Sequence, residues 1–209
     1  MSRINQAEQV YDALLAVHGP QQCFLVHNSA LQLLVATILS AQCTDKTVNN
    51  VTADLFRKYP DAASFANAVP EELERAIHAC GYYRAKAAHI IAACASICSD
   101  FNGEVPDSME ELTKLPGVGR KTANVVLGDF FQIPGFPVDT HVIRLSNRIG
   151  LCRTKDPVRI ESILCGKTAP EKWAQFSHLL IIHGRRRCMA RKPDCANCEI
   201  SSFCKKRGV

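Results

Sequence analysis

The apolar residues of this 209-residue chain recur with helical spacing almost from end to end. Segments that alternate strictly between apolar and polar residues, as half-buried strands do, are absent from the sequence. The spacing therefore predicts an all-α fold. The expected helices cover residues 7–17, 31–39, 45–58, 71–79, 84–99, 109–114, 120–131, 140–149, 157–167 and 171–183.

Polar residues mark several of the expected helix starts. Ser29 and Ser108 each stand three residues before a Gln or a Glu, which is the spacing of a capping box. Thr44 or Asp45 is expected to cap the helix that follows. The segment 31–39 is apolar on all sides, which predicts a helix buried at the centre of a core.

Composition and charge restrict the class of protein. Hydrophobic residues make up 47% of the chain, which is enough for a folded core and argues against intrinsic disorder. No apolar run reaches membrane-spanning length and no signal peptide is visible, so we expect a cytosolic or nucleoid-associated protein. The net charge is +5, and eight Lys and Arg residues lie between positions 185 and 207. This segment is either a solvated tail or a patch that faces phosphates.

Eleven cysteines in such a protein do not indicate a disulfide framework. Seven are scattered through helical segments, where cysteine is usually a small buried residue. The other four are Cys188, Cys195, Cys198 and Cys204. Four close thiolates are typical of zinc sites or iron–sulfur clusters, and the spacing alone leaves both open, with zinc slightly favoured.

A glycine-rich turn at residues 115–119 joins two expected helices. Pro116 fixes its own backbone, while Gly117 and Gly119 permit positive φ angles and close approach by a ligand. Backbone N–H groups at such a turn can hold a phosphate. The alternative is an ordinary tight turn between two helices.

Three segments and the terminal cysteines together resemble the endonuclease III family of helix–hairpin–helix DNA glycosylases. The segments are LPGVGRKTANVVL at 115–127, VDTHV at 138–142 and LSAQCTD at 39–45. The resemblance covers nearly the whole chain, and the motifs occur in the order of the family.

The resemblance implies a bifunctional DNA glycosylase and AP lyase of base excision repair. Such an enzyme removes oxidised pyrimidines from duplex DNA and cleaves the 3′ side of the abasic site by β-elimination through a lysine Schiff base. The amine is then Lys121 and the catalytic carboxylate is Asp139. The residues alone leave other interpretations open. Lys121 could contact a phosphate or solvent, and Asp139 or Thr140 could be the N-cap of the next helix.

The resemblance also implies the DNA contacts. Gln42 matches the residue that fills the void left by an extruded base, and Gly117 and Gly119 match the hairpin glycines. Tyr82 lies in the position of the family's wedge loop, where the family often has Leu, so the preference for particular damage is in doubt. The plain alternative is that Gln42 caps a helix and Tyr82 packs against Tyr83.

The cofactor, domains and partner follow from the same resemblance. The four terminal cysteines match a [4Fe–4S] signature, with a cluster loop at 188–204. Two helical domains are expected to flank a DNA-binding cleft. The first is a six-helix domain at 22–133 with the helix–hairpin–helix at about 108–127; the second combines 1–21 with 134–209. The expected partner is double-stranded DNA with damaged bases or abasic sites, bound by a monomer.

Three other functions are weaker matches to the sequence. Adenine-mismatch glycosylases of the same superfamily generally lack a lysine at the position of Lys121, use a carboxylate where this chain has Ala36, and carry a further C-terminal domain. A non-catalytic helix–hairpin–helix DNA-binding protein would not need Lys121 together with Asp139. An iron–sulfur electron carrier would not need the hairpin.

Overall fold

The computed structural model describes residues 5–209, and these residues form helices and turns without a strand. The all-α prediction is therefore confirmed. Within the described range, no helix is both long and apolar enough to cross a membrane. The α-helices are α1 (Gln6–His18), α2 (Ala30–Leu39), α3 (Asp45–Lys58), α4 (Ala62–Ala66), α5 (Pro70–Ala76), α6 (Tyr83–Asp100), α7 (Met109–Leu112), α8 (Arg120–Val125), α9 (Thr140–Ile149), α10 (Pro157–Cys165) and α11 (Trp173–Arg186).

The chain divides into two units. One, here called the hairpin unit, is continuous and covers Cys23–Ile133. The other, here called the cysteine unit, combines Met1–Gln22 with Pro134–Val209. The hairpin unit contains seven α-helical segments, α2 to α8, because the short α4 is present in addition to the six helices that the sequence predicts.

The hairpin unit is built around α2. The hydroxyl of Ser29 caps this helix by accepting from the backbone N–H of Gln32 at 3.2 Å. Almost every side chain of α2 is buried, including the large Leu33, Leu34 and Leu39. The helix packs against α3, α6 and α8. The prediction of a central buried helix is confirmed, and its burial supplies apolar contact area that stabilises this unit.

Two features of the hairpin unit differ from the sequence prediction. Helix α4 is not predicted from the sequence, and its N-cap Asp61 forms a complete capping box with Ser64. The expected single helix at 120–131 is α8 followed by a π-helical segment, Val126–Phe131. A π turn holds one more residue than an α turn, so periodicity over a short apolar run does not reveal it.

The cysteine unit pairs α1 with α11. The rings of Tyr11 and Phe176 meet edge to face with centroids 5.7 Å apart, and Lys172 forms an ion pair with Glu8. Helix α11 also packs against α9, which in turn contacts α10. This arrangement places the end of α11 next to the segment that carries the four terminal cysteines.

Candidate functional site

The glycine hairpin connects α7 and α8, which pack against each other. Gly117 has a φ of +74°, and a Cβ added there would lie 2.6 Å from the Cβ of His89. Only glycine adopts this positive φ easily and has no Cβ to collide with His89. Gly119 differs from the expectation, because its φ of −93° is accessible to any residue. An added Cβ at Gly119 would meet nothing within 4 Å, so this face of the turn is open to a ligand.

Lys121 is the second residue of α8, and its side chain is exposed. Gly119 is the N-cap of the helix and offers no side chain to cap it. The hairpin therefore presents a primary amine next to an uncovered helix start. An exposed amine can reach an electrophilic carbon on a bound molecule, which is the first requirement for a Schiff base.

Asp139 belongs to the cysteine unit and is the N-cap of α9. Its Oδ1 accepts from the backbone N–H of Val142 at 2.8 Å, and its Oδ2 lies 3.3 Å from Nδ1 of His141. Thr140 is the first residue of the helix and not its cap. The cap interpretation is thus correct for Asp139 itself. Capping fixes the orientation of the carboxylate and is compatible with a chemical role for its second oxygen.

Gln42 and Tyr82 share an uncommon backbone conformation. Both have positive φ angles, 53° and 48°, and neither is glycine. Both side chains are exposed, Tyr82 to 67%. Strained, exposed residues of this kind persist only where the surrounding structure holds them, and they are common at functional sites.

The cap interpretation of Gln42 does not hold for α3. The cap of α3 is Thr44, whose hydroxyl accepts from the N–H of Thr47 at 3.2 Å, so Gln42 does not cap this helix. The ring of Tyr83 packs on His78, with centroids 4.5 Å apart. Tyr82, the residue before α6, is itself largely exposed.

All four terminal cysteines line one cavity in the cysteine unit, which the apolar residues Ile149 and Ile200 help to enclose. Each of the four is a free thiol. Burial raises the pKa of Cys198 and of Cys204, and the neighbouring thiols of the set act in the same direction. Four thiolates gathered this closely are favourable only around a cation, so the set is suited to a metal centre.

A second group near the cavity could also offer ligands. The ligand atoms of His183, Cys198 and Glu199 lie within 4.8 Å of one another. However, Glu199 is bound by Arg187, with N and O 3.0 Å apart, and Nδ1 of His183 lies 3.1 Å from Nε2 of His18. The four thiols are therefore the better donor set.

Two arginines that the sequence analysis did not single out brace the start of the cysteine loop. Arg144 donates to the carbonyl oxygens of Gly184 and Cys188, each at 3.0 Å. Arg148 donates to the carbonyl oxygens of Met189 at 2.7 Å and Ala190 at 2.9 Å. Guanidinium groups that cap carbonyls in this way have no periodic signature in the sequence.

The basic segment between residues 185 and 207 is not uniformly available to phosphates. Arg187 forms ion pairs with Asp194 at 3.1 Å and with Glu199 at 3.0 Å. It therefore stabilises the loop internally. Arg191 and Lys192, in contrast, are exposed.

Comparisons with known proteins agree with this geometry. A family model described as "HhH-GPD superfamily base excision DNA repair protein" matches residues 35–170. The chain is 48% identical to endonuclease III of Synechocystis sp. over 97% of this chain and 93% of the relative. It is 44% identical to endonuclease III of Bacillus subtilis over 99% and 94% of the two chains.

A solved structure is also closely similar. It is described as "Structure of a Trapped Endonuclease III-DNA Covalent Intermediate: Estranged-Adenine Complex". The TM-score is 0.93 at 42% identity, over 99% of this chain and 97% of the other. The all-helical fold, the glycine hairpin and the relatives matched over nearly their whole length lead to one conclusion: the chain belongs to the endonuclease III family of helix–hairpin–helix base excision repair proteins.

Proposed function

We propose that this protein is a bifunctional DNA glycosylase and AP lyase that acts as a monomer on duplex DNA carrying oxidised pyrimidines or abasic sites. The observation that carries the proposal is the exposed amine of Lys121 directly after the glycine hairpin. Its working place is the nucleoid in the bacterial cytoplasm, where its substrate lies.

The proposed reaction uses Lys121 as the nucleophile. The neutral Nζ attacks C1′ of the damaged nucleotide, so that an N–C1′ bond forms while the bond between C1′ and the base breaks. The sugar ring then opens and leaves a Schiff base at C1′. Loss of a proton from C2′ drives β-elimination, which breaks the bond between C3′ and the 3′ phosphate oxygen.

Asp139 is the proposed carboxylate partner. It can act as a general base, and its charge can stabilise positive charge that develops on the sugar. The cap contact to Val142 fixes one oxygen. The other oxygen is held near His141, which limits the rotation of the carboxylate. A fixed carboxylate costs less reorganisation in the transition state than a mobile one.

The proposed DNA contacts come from the hairpin and the two strained loops. Gly117 and Gly119 hold the phosphate backbone through their N–H groups. A glycosylase must extrude its target nucleotide, at a cost of a few kcal/mol. Gln42 fills the space that the nucleotide leaves, and Tyr82 stacks at the adjacent step, a contact worth about 1–3 kcal/mol per base at comparable sites. Their exposure and fixed backbones support these roles.

The proposed cofactor is a [4Fe–4S] cluster held by Cys188, Cys195, Cys198 and Cys204. The residues fit it, because all four are free thiols that line one cavity together with Ile149 and Ile200. When bound, the cluster supplies cross-links and not bond-breaking chemistry. The loop that it ties then holds its exposed cations towards DNA phosphates.

The test is covalent trapping on DNA that contains an abasic site. With borohydride present, the wild-type protein should form an irreversible protein–DNA adduct, because reduction fixes the Schiff base. Lys121→Gln should form none, while its affinity for abasic DNA stays within about tenfold of the wild type.

The matched control for this test is Lys114→Gln. Lys114 lies on the other side of the hairpin, where it forms an exposed ion pair with Glu110 at 2.9 Å. This variant should be trapped as efficiently as the wild type. Adduct formation by Lys121→Gln would show that another amine is the nucleophile and would overturn the assignment.

A further inference from the structure

A buried lysine joins the two strained loops of the hairpin unit. Lys86 lies in the first turns of α6 and is only 4% exposed. Its ammonium donates to the carbonyl oxygen of Leu39 at 2.8 Å and to that of Cys80 at 2.8 Å. A lysine is almost never buried unless its charge is matched by acceptors, so this placement requires an explanation.

Each of the two carbonyls stands at the base of a loop that carries a proposed DNA contact. Leu39 is the last residue of α2, three residues before Gln42. Cys80 ends the 3₁₀ helix His78–Cys80, two residues before Tyr82. Helix ends leave carbonyl oxygens without backbone donors, and here a single ammonium donates a hydrogen bond to one such oxygen at each of the two helix ends.

Further contacts join the same segments. The backbone N–H of Lys86 donates to the carbonyl oxygen of Tyr82 at 3.1 Å. Burial raises the pKa of the Cys80 thiol to about 11, and the nearby thiol of Cys43 acts in the same direction, so Cys80 is a neutral group. Cys43 directly follows Gln42. Lys86 thus links the two loops at their bases, with the thiols of Cys43 and Cys80 close to each other.

We propose that Lys86 is a positioning residue for base extrusion, which sets the spacing between Gln42 and Tyr82 by holding the carbonyls of Leu39 and Cys80 together. The inference rests on the proposed function of these two side chains as void-filling residues. Gln42 must enter the duplex at the gap left by the extruded base. Tyr82, which stacks at the adjacent base step, must keep a fixed distance from it. Lys86 provides this separation without touching the substrate.

A lysine with only a structural role would have a different effect on activity. Its loss would weaken the fold and reduce every step of the reaction to a similar degree. A positioning role affects extrusion selectively, because a pre-formed abasic site has already lost its target base and needs less stacking support. The discriminating quantity is the ratio of two single-turnover rates: excision of a damaged base from duplex DNA, and strand cleavage at a pre-formed abasic site.

The experiment compares this ratio in Lys86→Met and in Ile97→Ala. Methionine keeps most of the lysine stem but removes the donors. Ile97 is a fully buried residue near the other end of α6, so its truncation destabilises the same helix away from both loops. We expect Lys86→Met to lower the ratio by about tenfold or more, and Ile97→Ala to change it by less than about threefold.

The same ratio is then measured in the Gln42→Ala, Tyr82→Ala double variant, with and without Lys86→Met. If Lys86 acts through the two side chains, its replacement should alter the ratio by less than about twofold once they are gone. An additive effect, or a Lys86→Met ratio like that of Ile97→Ala, would overturn the inference. If Lys86→Met does not fold, Lys86→Gln is used with the same criteria, since its shorter amide cannot span both carbonyls as the ammonium does.

The double variant also separates the inference from the function on which it rests. If it leaves the ratio unchanged, the void-filling roles are wrong and the inference falls with them. If it lowers the ratio while Lys86→Met does not, the void-filling roles stand and Lys86 is a structural residue only.

Discussion

Replacing Asp139 by Asn tests whether the N-cap of α9 is also a catalytic group. The cap contact is the hydrogen bond from the N–H of Val142 to Oδ1 at 2.8 Å. An asparagine oxygen can accept the same bond, and Asn and Asp are nearly equal as N-caps. The substitution therefore keeps the local structure and removes the negative charge and the proton acceptor.

The expected loss of stability is small. The carboxylate charge at a helix N-terminus contributes about 0.3–1 kcal/mol. For a chain of this length that corresponds to a Tm lower by about 4 °C at most. Asp139→Ala removes the cap as well and should cost about 0.5–2 kcal/mol.

The expected loss of activity is much larger. General base catalysis by a positioned carboxylate is worth about 10²–10⁴ in rate, and a hundredfold loss corresponds to roughly 2.7 kcal/mol of activation free energy. We therefore expect single-turnover excision to be slowed at least about a hundredfold in Asp139→Asn and to a similar degree in Asp139→Ala. Equal activity losses with unequal melting temperatures would separate catalysis from capping.

Asp156 offers a matched control. It is the N-cap of α10 in the same unit, and its Oδ1 accepts from the N–H of Val158 at 2.9 Å. Asp156→Asn should lower Tm by a similar small amount and leave excision unchanged. If Asp139→Asn were as active as Asp156→Asn, Asp139 would be a cap and nothing more, and the proposed role would be refuted.

Two further predictions concern the hairpin and the cofactor. Gly117→Ala should destabilise the protein by more than about 1 kcal/mol in thermal melts, because the left-handed backbone and the contact with His89 both oppose a Cβ. Gly119→Ala, with open space around it, should lose less stability. Equal losses of stability in the two variants would contradict the hairpin geometry. Purified protein should contain about four iron atoms per chain. Cys198→Ser should lower the iron content and the DNA affinity more than it lowers the single-turnover rate at saturating protein. A colourless, zinc-loaded protein with full activity would show that the cofactor is not a cluster.

Most helices were predictable because their apolar faces repeat over several turns. The ten-residue α2 is apolar all round, and Ser29 marks its start. The five-residue α4 was not predictable, since it is too short to complete a pattern. The start of α9 was predictable, but its exact cap was not, because Asp139 and Thr140 are both good N-cap residues.

Side chains that act through tertiary contacts could not be found from the sequence. Lys86 occupies a helix position where a lysine normally indicates solvent exposure, and only the folded unit shows that it is buried between two helix ends. The same is true of Arg144, which binds carbonyls about forty positions further along the chain. Motifs predict which loops contact DNA, whereas the groups that hold these loops have no local signature.

The pairing of α1 with α11 has a consequence for how the protein is made. On the ribosome, the hairpin unit is continuous and can fold as soon as it emerges, whereas α1 must wait for a helix encoded far downstream. At about 5–20 residues per second, the intervening chain takes roughly eight to thirty seconds to synthesise. During that interval α11 is not yet present to pack against α1. The side chains of Ala7, Val10 and Leu14, which are fully buried in the complete protein, then remain exposed to solvent. The four cysteines emerge later still, so we expect the cysteine unit to assemble, and the proposed cluster to enter, only after translation has passed α11.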